Sequence, residues 1–411
     1  MSSAPSLNPL GHAGFRNLWL AQTISDFGDG LTSLALLIMV QQLTGSTTAL
    51  ATMAIVLAIP QVTLGLVAGV YVDRFNRKTI MLVSDALRAL LVLGFVFVDA
   101  QHLWVLYVLG FLQSAVGTFF GPARGAVVAQ ILPKEALLSA NSITQTSRIL
   151  AGLLGAGAAG VIIGAFKVYW PAFAIDTATF LLSFVLVLIT RVPGLAASAS
   201  AQVGGVLKSL VEGLGTIGRS RVLLGTLTGA GVLMLGLGAV NILFIPLLTD
   251  DLKVPTTLFG LVQAAQTAGM ILAGGLVALL AARLRPASMV SLGMVGMGLA
   301  VGLIALVGQL WHVLALLFVI GLMVAPVQAG IGTLVQTAVE DAIRGRVGAA
   351  LNAVIGAANL VSMAFAGALA GLIGVREVFL AAGVIAVIAG AAAYVVFGGS
   401  RVNQNPAGGN L

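Results

Sequence analysis

Apolar runs of about twenty residues recur along the whole chain, separated by charges, Gly/Pro clusters and amide-rich turns. Read at those breaks, the pattern places twelve spans near residues 17–41, 48–72, 79–98, 103–123, 138–165, 168–190, 222–248, 256–282, 288–308, 311–336, 346–374 and 377–397. Each can cross roughly 30 Å of hydrocarbon, where a single segment satisfies its own backbone groups only as a helix. The pattern predicts an all-α polytopic membrane protein.

Composition agrees: of 411 residues, 59% are hydrophobic and only 8% charged, too few charges to cover a soluble surface. The net charge of +7 invites a nucleic-acid reading, which the placement of the bases removes. Fifteen of the 20 Lys and Arg, Arg124 among them, fall at the N-terminus, in even-numbered loops or at the C-terminus. Lys167, Lys253 and Arg376 fall in odd-numbered loops, and Arg88 and Arg148 inside spans. This asymmetry predicts that both termini are cytoplasmic. The first apolar run is long, holds two aspartates and lacks a small-residue cleavage site, so no cleavable signal is expected. With no cysteine and three scattered histidines (His12, His102, His312), neither a metal site nor a thiol nucleophile is expected. No Gly-x-x-x-x-Gly-Lys-Ser/Thr is present to hold ATP, and no cofactor or enzymatic centre is expected.

Two matches suggest a duplicated unit of six spans. Gly65-Leu66-Val67-Ala68 recurs as Gly275-Leu276-Val277-Ala278, and Asn141 and Gly160 correspond to Asn352 and Gly371 at nearly the same offset. The expected organisation is a first bundle over 1–193, a linker over 194–220 and a second bundle over 221–411. In the linker, Leu207, Leu210, Leu214 and Ile217 recur at helical spacing opposite Lys208, Glu212 and Arg219. That predicts a short amphipathic helix on the membrane surface, the alternative being a plain tether.

After span 2, the stretch Gly69-Val70-Tyr71-Val72-Asp73-Arg74-Phe75-Asn76-Arg77-Lys78 crowds four charges into six positions. It resembles the loop 2–3 signature of the major facilitator superfamily, Gly-x-x-x-Asp-Arg-x-Gly-Arg-Arg/Lys, differing only at Asn76. Asn tolerates positive φ, so the turn need not be lost. The resemblance implies twelve helices in two pseudo-symmetric bundles. It also implies a gating latch of Gly69, Asp73, Arg74, Arg77 and Lys78, with Asp73 near the start of span 11 after Arg344-Gly345-Arg346. The alternative is a topological anchor only. Phe15-Arg16-Asn17-Leu18-Trp19, Ser25-Asp26-Phe27-Gly28-Asp29, Asp85-Ala86-Leu87-Arg88 and Ala140-Asn141-Ser142 look like the bacterial drug:proton antiporter branch, which includes macrolide, tetracycline and enterobactin exporters. Span 5 departs from that branch, reading Gly155-Ala156-Gly157-Ala158-Ala159-Gly160 without the usual proline, and no span 4 arginine of the family type is evident.

Charges inside a membrane are costly and need a reason. On span 1, Gln22, Asp26, Asp29 and Ser33 form one helical stripe, the aspartates roughly 15–20 Å past Arg16. On span 5, Asn141, Gln145 and Arg148 form another, with Arg148 at the depth of the aspartates. An Arg148–aspartate pair is expected, with proton exchange at Asp26 or Asp29, Asp29 being the first choice. Asp85 and Arg88, spaced i, i+3 on span 3, read as a local charge network, and Asp176 as structural. The second half offers only neutral amides inside its spans: Asn241, Gln263, Gln266, Gln328, Asn352 and Asn359.

The expected function is a monomeric secondary transporter in the bacterial inner membrane, exporting a small amphiphilic compound in exchange for protons by alternating access. Its partners are that substrate, protons and the lipid bilayer, with no nucleic acid. Alternatives are export of a specific siderophore or metabolite, flipping of a lysolipid, or a non-transporting receptor or scaffold.

Overall fold

The computed structural model describes residues 8–98, 100–192 and 203–399, and among these every regular element is helical. The first half comprises α1 (Ala13–Thr44), α2 (Thr47–Thr63), α3 (Gly65–Arg74), α4 (Arg77–Gly94), α5 (Leu103–Ile131), α6 (Leu137–Phe166) and α7 (Trp170–Ile189). After α8 (Val203–Arg219) come α9 (Arg221–Pro246), α10 (Phe259–Arg283), α11 (Pro286–Ile304), α12 (Leu310–Ala338), α13 (Asp341–Ile373) and α14 (Val375–Gly399). Among the described residues, 11 helices are long and apolar enough to cross a membrane. The bent pair α2–α3, with 53° between its arms, supplies a twelfth crossing. Pro60 inside α2 and Gly65 at the start of α3 flank that bend, the residues at which helices commonly kink.

Local chemistry sets the turns. Gly45 closes α1 at φ +60, a left-handed geometry that glycine adopts without a Cβ penalty. Ser46 then caps α2 by accepting from the Ala49 N–H at 3.3 Å. Packing repeats between the halves: α1 lies against α6 and α7 as α9 lies against α13 and α14, and α4 lies against α5 and α7 as α11 lies against α12 and α14. Small residues permit the closest approaches. A Cβ at Gly30 would run into the backbone of Gly152, and one at Gly155 into the Phe27 carbonyl, the close contact that favours helix association in lipid.

The halves meet on the side of the membrane away from the N-terminal end of α1. There Gln41 Nε2 donates to Asp250 Oδ2 at 2.8 Å, and Thr47 Oγ1 donates to the Gly367 carbonyl at 3.1 Å. On the same side α6 lies against α10, where a Cβ at Gly260 would sit 2.6 Å from Gly157 Cα. On the opposite, terminal side, Asn141, Gln145 and Arg148 of α6 are exposed. The hydrogen bonds between the halves thus gather at the far side, while this polar stripe of α6 is uncovered at the terminal side.

Within the expected linker, 193–202 lie outside the described residues, as does the Leu207 side chain. α8 itself packs on the protein. Leu210 and Ile217 join a cluster with Val347, Ala350 and Leu351 of α13, while Glu212 pairs with Arg346 at 2.6 Å. Leu214, expected on the same apolar face, is exposed.

Candidate functional site

Asp26 and Asp29 fall near the middle of the 32-residue α1 and have different surroundings. The Asp29 carboxylate accepts from the Arg88 guanidinium of α4 and from Gln113 Nε2 of α5, the latter at 3.2 Å. Arg88 is buried and stacks over the Phe180 ring of α7, 4.1 Å from its centroid. Close by, Asp176 accepts from Thr32 Oγ1 at 2.5 Å and Thr179 Oγ1 at 2.9 Å, while Asp85 accepts from Ser183 Oγ at 2.7 Å. Both of these aspartates are fully buried. Arg88 thus acts electrostatically on Asp29, Asp176 and Asp85 together. Gly28 makes room for this arrangement, since a Cβ there would strike the Asp176 carboxylate and the Thr179 hydroxyl.

Asp26 lies outside that network. Its Oδ1 accepts from Gln22 Nε2 at 2.8 Å, while its Oδ2 is buried with no hydrogen-bond partner. It faces a polar cavity of about 430 Å³ whose wall includes Gln22, Asp29, Arg88, Gln113, Arg124 and Arg148. Arg124 and Arg148 act on Asp26 through space, and neither makes an ion pair or hydrogen bond among the described residues. A larger groove of about 600 Å³ lies between α3, α4 and α5, lined by Tyr71, Phe75, Val83, Leu87 and Phe119 among others. Its wall carries no charged side chain, so the ionic chemistry belongs to the smaller cavity.

Several expectations change. The partner of Asp29 is Arg88, not Arg148, because α4, packed on α5 and α7, carries a long side chain whose guanidinium reaches α1. Asp85 and Arg88 are not a self-contained pair: Asp85 turns to Ser183 and Arg88 to Asp29. Arg124, read as a loop residue beyond Gly121-Pro122, sits inside α5, which continues through Pro122 to Ile131. Proline is tolerated inside membrane helices. The apolar Ala126-Val127-Val128-Ala129 beyond Arg124 was the available signal. Asn141 and Gln145 sit on α6 between Arg148 and the terminal side, outside the wall of this cavity.

In the charged loop, Asp73 pairs with Arg77 at 3.5 Å. Lys78 Nζ donates to the Leu188 and Thr190 carbonyls at 2.7 and 2.8 Å, binding the end of α7. Asn76 has φ −64 and serves as the N-cap of α4, accepting from the N–H groups of Lys78 and Thr79. Capping, not positive φ, is its contribution. Gly69 is exposed, with no atom within 4 Å of where a Cβ would stand. On this side α3 meets α8.

The sequence matches the family model described as Major Facilitator Superfamily over residues 18–244 and again over 226–409. It is 31% identical to an MFS-type transporter of Bacillus subtilis, YfiS, over 92% of this chain and 91% of that protein. It is 29% identical to the multidrug efflux pump Tap of Mycolicibacterium fortuitum, covering 86% and 88% of the two chains. The fold resembles a bacterial homologue of the human lysosomal transporter Spinster, solved inward-facing and unoccupied, with a TM-score of 0.72, 16% identity, and coverage of 93% and 96%. Twelve crossings in two similarly packed bundles and family matches spanning both halves lead to one conclusion: the chain belongs to the Major Facilitator Superfamily and is a transporter.

Proposed function

We propose that this transporter exports small amphiphilic molecules in exchange for protons, and that Asp26 is the group that carries the exchanged proton. The observation that supports it is the contrast between the two aspartates of α1. Asp29 is engaged by a buried arginine, which would lose its directly bonded carboxylate if Asp29 were neutralised. Both aspartates line the cavity, but Asp26 has only a neutral amide partner and an oxygen without one. A carboxylate so placed can alternate between a proton and a substrate group. The similarity to Tap, a multidrug efflux pump by name, favours export of amphiphilic compounds.

The excess of Lys and Arg on the terminal side favours a cytoplasmic position for that side, in a bacterial inner membrane. The exposed polar stripe of α6 then faces inward. Alternation would close the terminal side, where Asp73 and Arg74 end α3 and Arg77 and Lys78 open α4, and open the far side. Each chain holds one complete cavity, so the working unit is a monomer. The test uses proteoliposomes containing a pH-sensitive dye, challenged with amphiphilic cations, anions, zwitterions and lysolipids. Substrate-dependent proton movement opposite to substrate flux is expected. Substrate flux with no proton movement would overturn the coupling.

A further inference from the structure

The cavity carries more charge than proton exchange at Asp26 requires. Arg124 from α5 and Arg148 from α6 share its wall with Asp26, and the three act on one another electrostatically. Arg124 Nε and Asp26 Oδ2 are both buried without a hydrogen-bond partner. The other charged residues on the wall, Asp29 and Arg88, neutralise each other. What remains is two positive groups and one negative. A simple cation would leave both guanidinium groups unmatched in a confined space. A simple anion would satisfy the arginines but leave the bare oxygen of Asp26. A ligand bearing both an acid and an amine meets all three.

We propose that this cavity is an ampholyte site, in which Arg124 and Arg148 hold the acid group of an amphiphile and Asp26 holds its ammonium. Guanidinium groups suit this task because they remain charged and offer paired donors to a carboxylate or phosphate. Leu57, half-buried on the same wall, offers apolar surface for the body of the ligand. The assignment rests on the exchange role of Asp26 and gives that role a substrate class. The ammonium and the proton are alternatives at one carboxylate, while the acid group supplies affinity that does not compete with the proton.

The test is binding to the full-length protein in lipid nanodiscs, followed by fluorescence. Trp19 is a usable reporter because its Nε1 donates to Ser147 Oγ at 2.9 Å, beside Arg148. The probes are 2-aminooctanoate, octylamine and octanoate, which share an alkyl body and differ in charge. The aminooctanoate should bind about tenfold or more tighter than either singly charged probe, as one additional charge-assisted hydrogen bond allows. Arg124→Gln and Arg148→Gln should each abolish its advantage over octylamine, and Asp26→Asn its advantage over octanoate. Arg124→Lys and Arg148→Lys, which keep the charge, should retain part of the advantage and cover the case in which a glutamine variant does not fold.

Equal binding of the three probes, tightest binding of octylamine or octanoate, or no binding at all would overturn the ampholyte site. Proton release on probe addition separates this from the exchange reading. Tight aminooctanoate binding without proton release would remove the exchange role and leave the site standing. Proton release driven equally by octylamine would remove the site and leave the exchange role.

Discussion

Arg88 on α4 donates to the carboxylate of Asp29 on α1 while its guanidinium rests on the Phe180 ring of α7. One buried cation therefore joins three helices of the first half. Removing one member of a buried pair costs about 3–5 kcal/mol, because the survivor is left charged and unmatched. Arg88→Leu should lower thermal stability by that order, and Arg88→Leu combined with Asp29→Asn should recover most of it. A double variant as unstable as the sum of the two singles would show that the pair is not the source of the stability.

The far-side closure gives a second prediction. Gln41 and Asp250 come from opposite halves and share a hydrogen bond at 2.8 Å. The native chain has no cysteine, so Gln41→Cys with Asp250→Cys introduces the only two thiols. A short, reducible thiol cross-linker between them should arrest transport until reductant is added. Transport continuing at full rate in fully cross-linked protein would mean that this contact need not open.

The charged loop gives a third. Asp73, near the end of α3, pairs only weakly with Arg77 at the start of α4, at 3.5 Å. If Asp73 engages the second half when the terminal side closes, Asp73→Asn should slow transport while leaving the affinity of the open state unchanged. An unchanged transport rate in a well-expressed variant would reduce the loop to a topological anchor.

The sequence pattern made the helices and their number legible, because lipid permits little besides long apolar helices. It also brought Gln22, Asp26, Asp29 and Arg148 together, since a helical stripe and a common depth are one-dimensional properties. The pairings were not legible. Asp29 and Arg88 lie 59 positions apart, and the choice between Arg88 and Arg148 as partner depends on which way α4, packed on α5 and α7, turns its long side chain. The i, i+3 spacing of Asp85 and Arg88 suggested a local pair, yet Ser183 and Asp29 on neighbouring helices offered better partners. Arg124 escapes the sequence reading because a span of about twenty residues from 103 ends at 123, whereas α5 continues through Pro122 to Ile131.

The most direct measurement of the central claim compares two modes of transport in Asp26→Asn. The variant keeps the size and hydrogen bonding of the protonated acid but cannot titrate. Reconstituted in proteoliposomes and tested with the probe that drives the strongest proton flux in the native protein, it should fail to accumulate that probe against a gradient when a pH difference is imposed. Exchange of labelled for unlabelled probe should continue at probe concentrations that offset the weaker binding of the variant, because the rocking of the halves needs no titration at Asp26. Accumulation by Asp26→Asn at the native rate and to the native level would contradict the account.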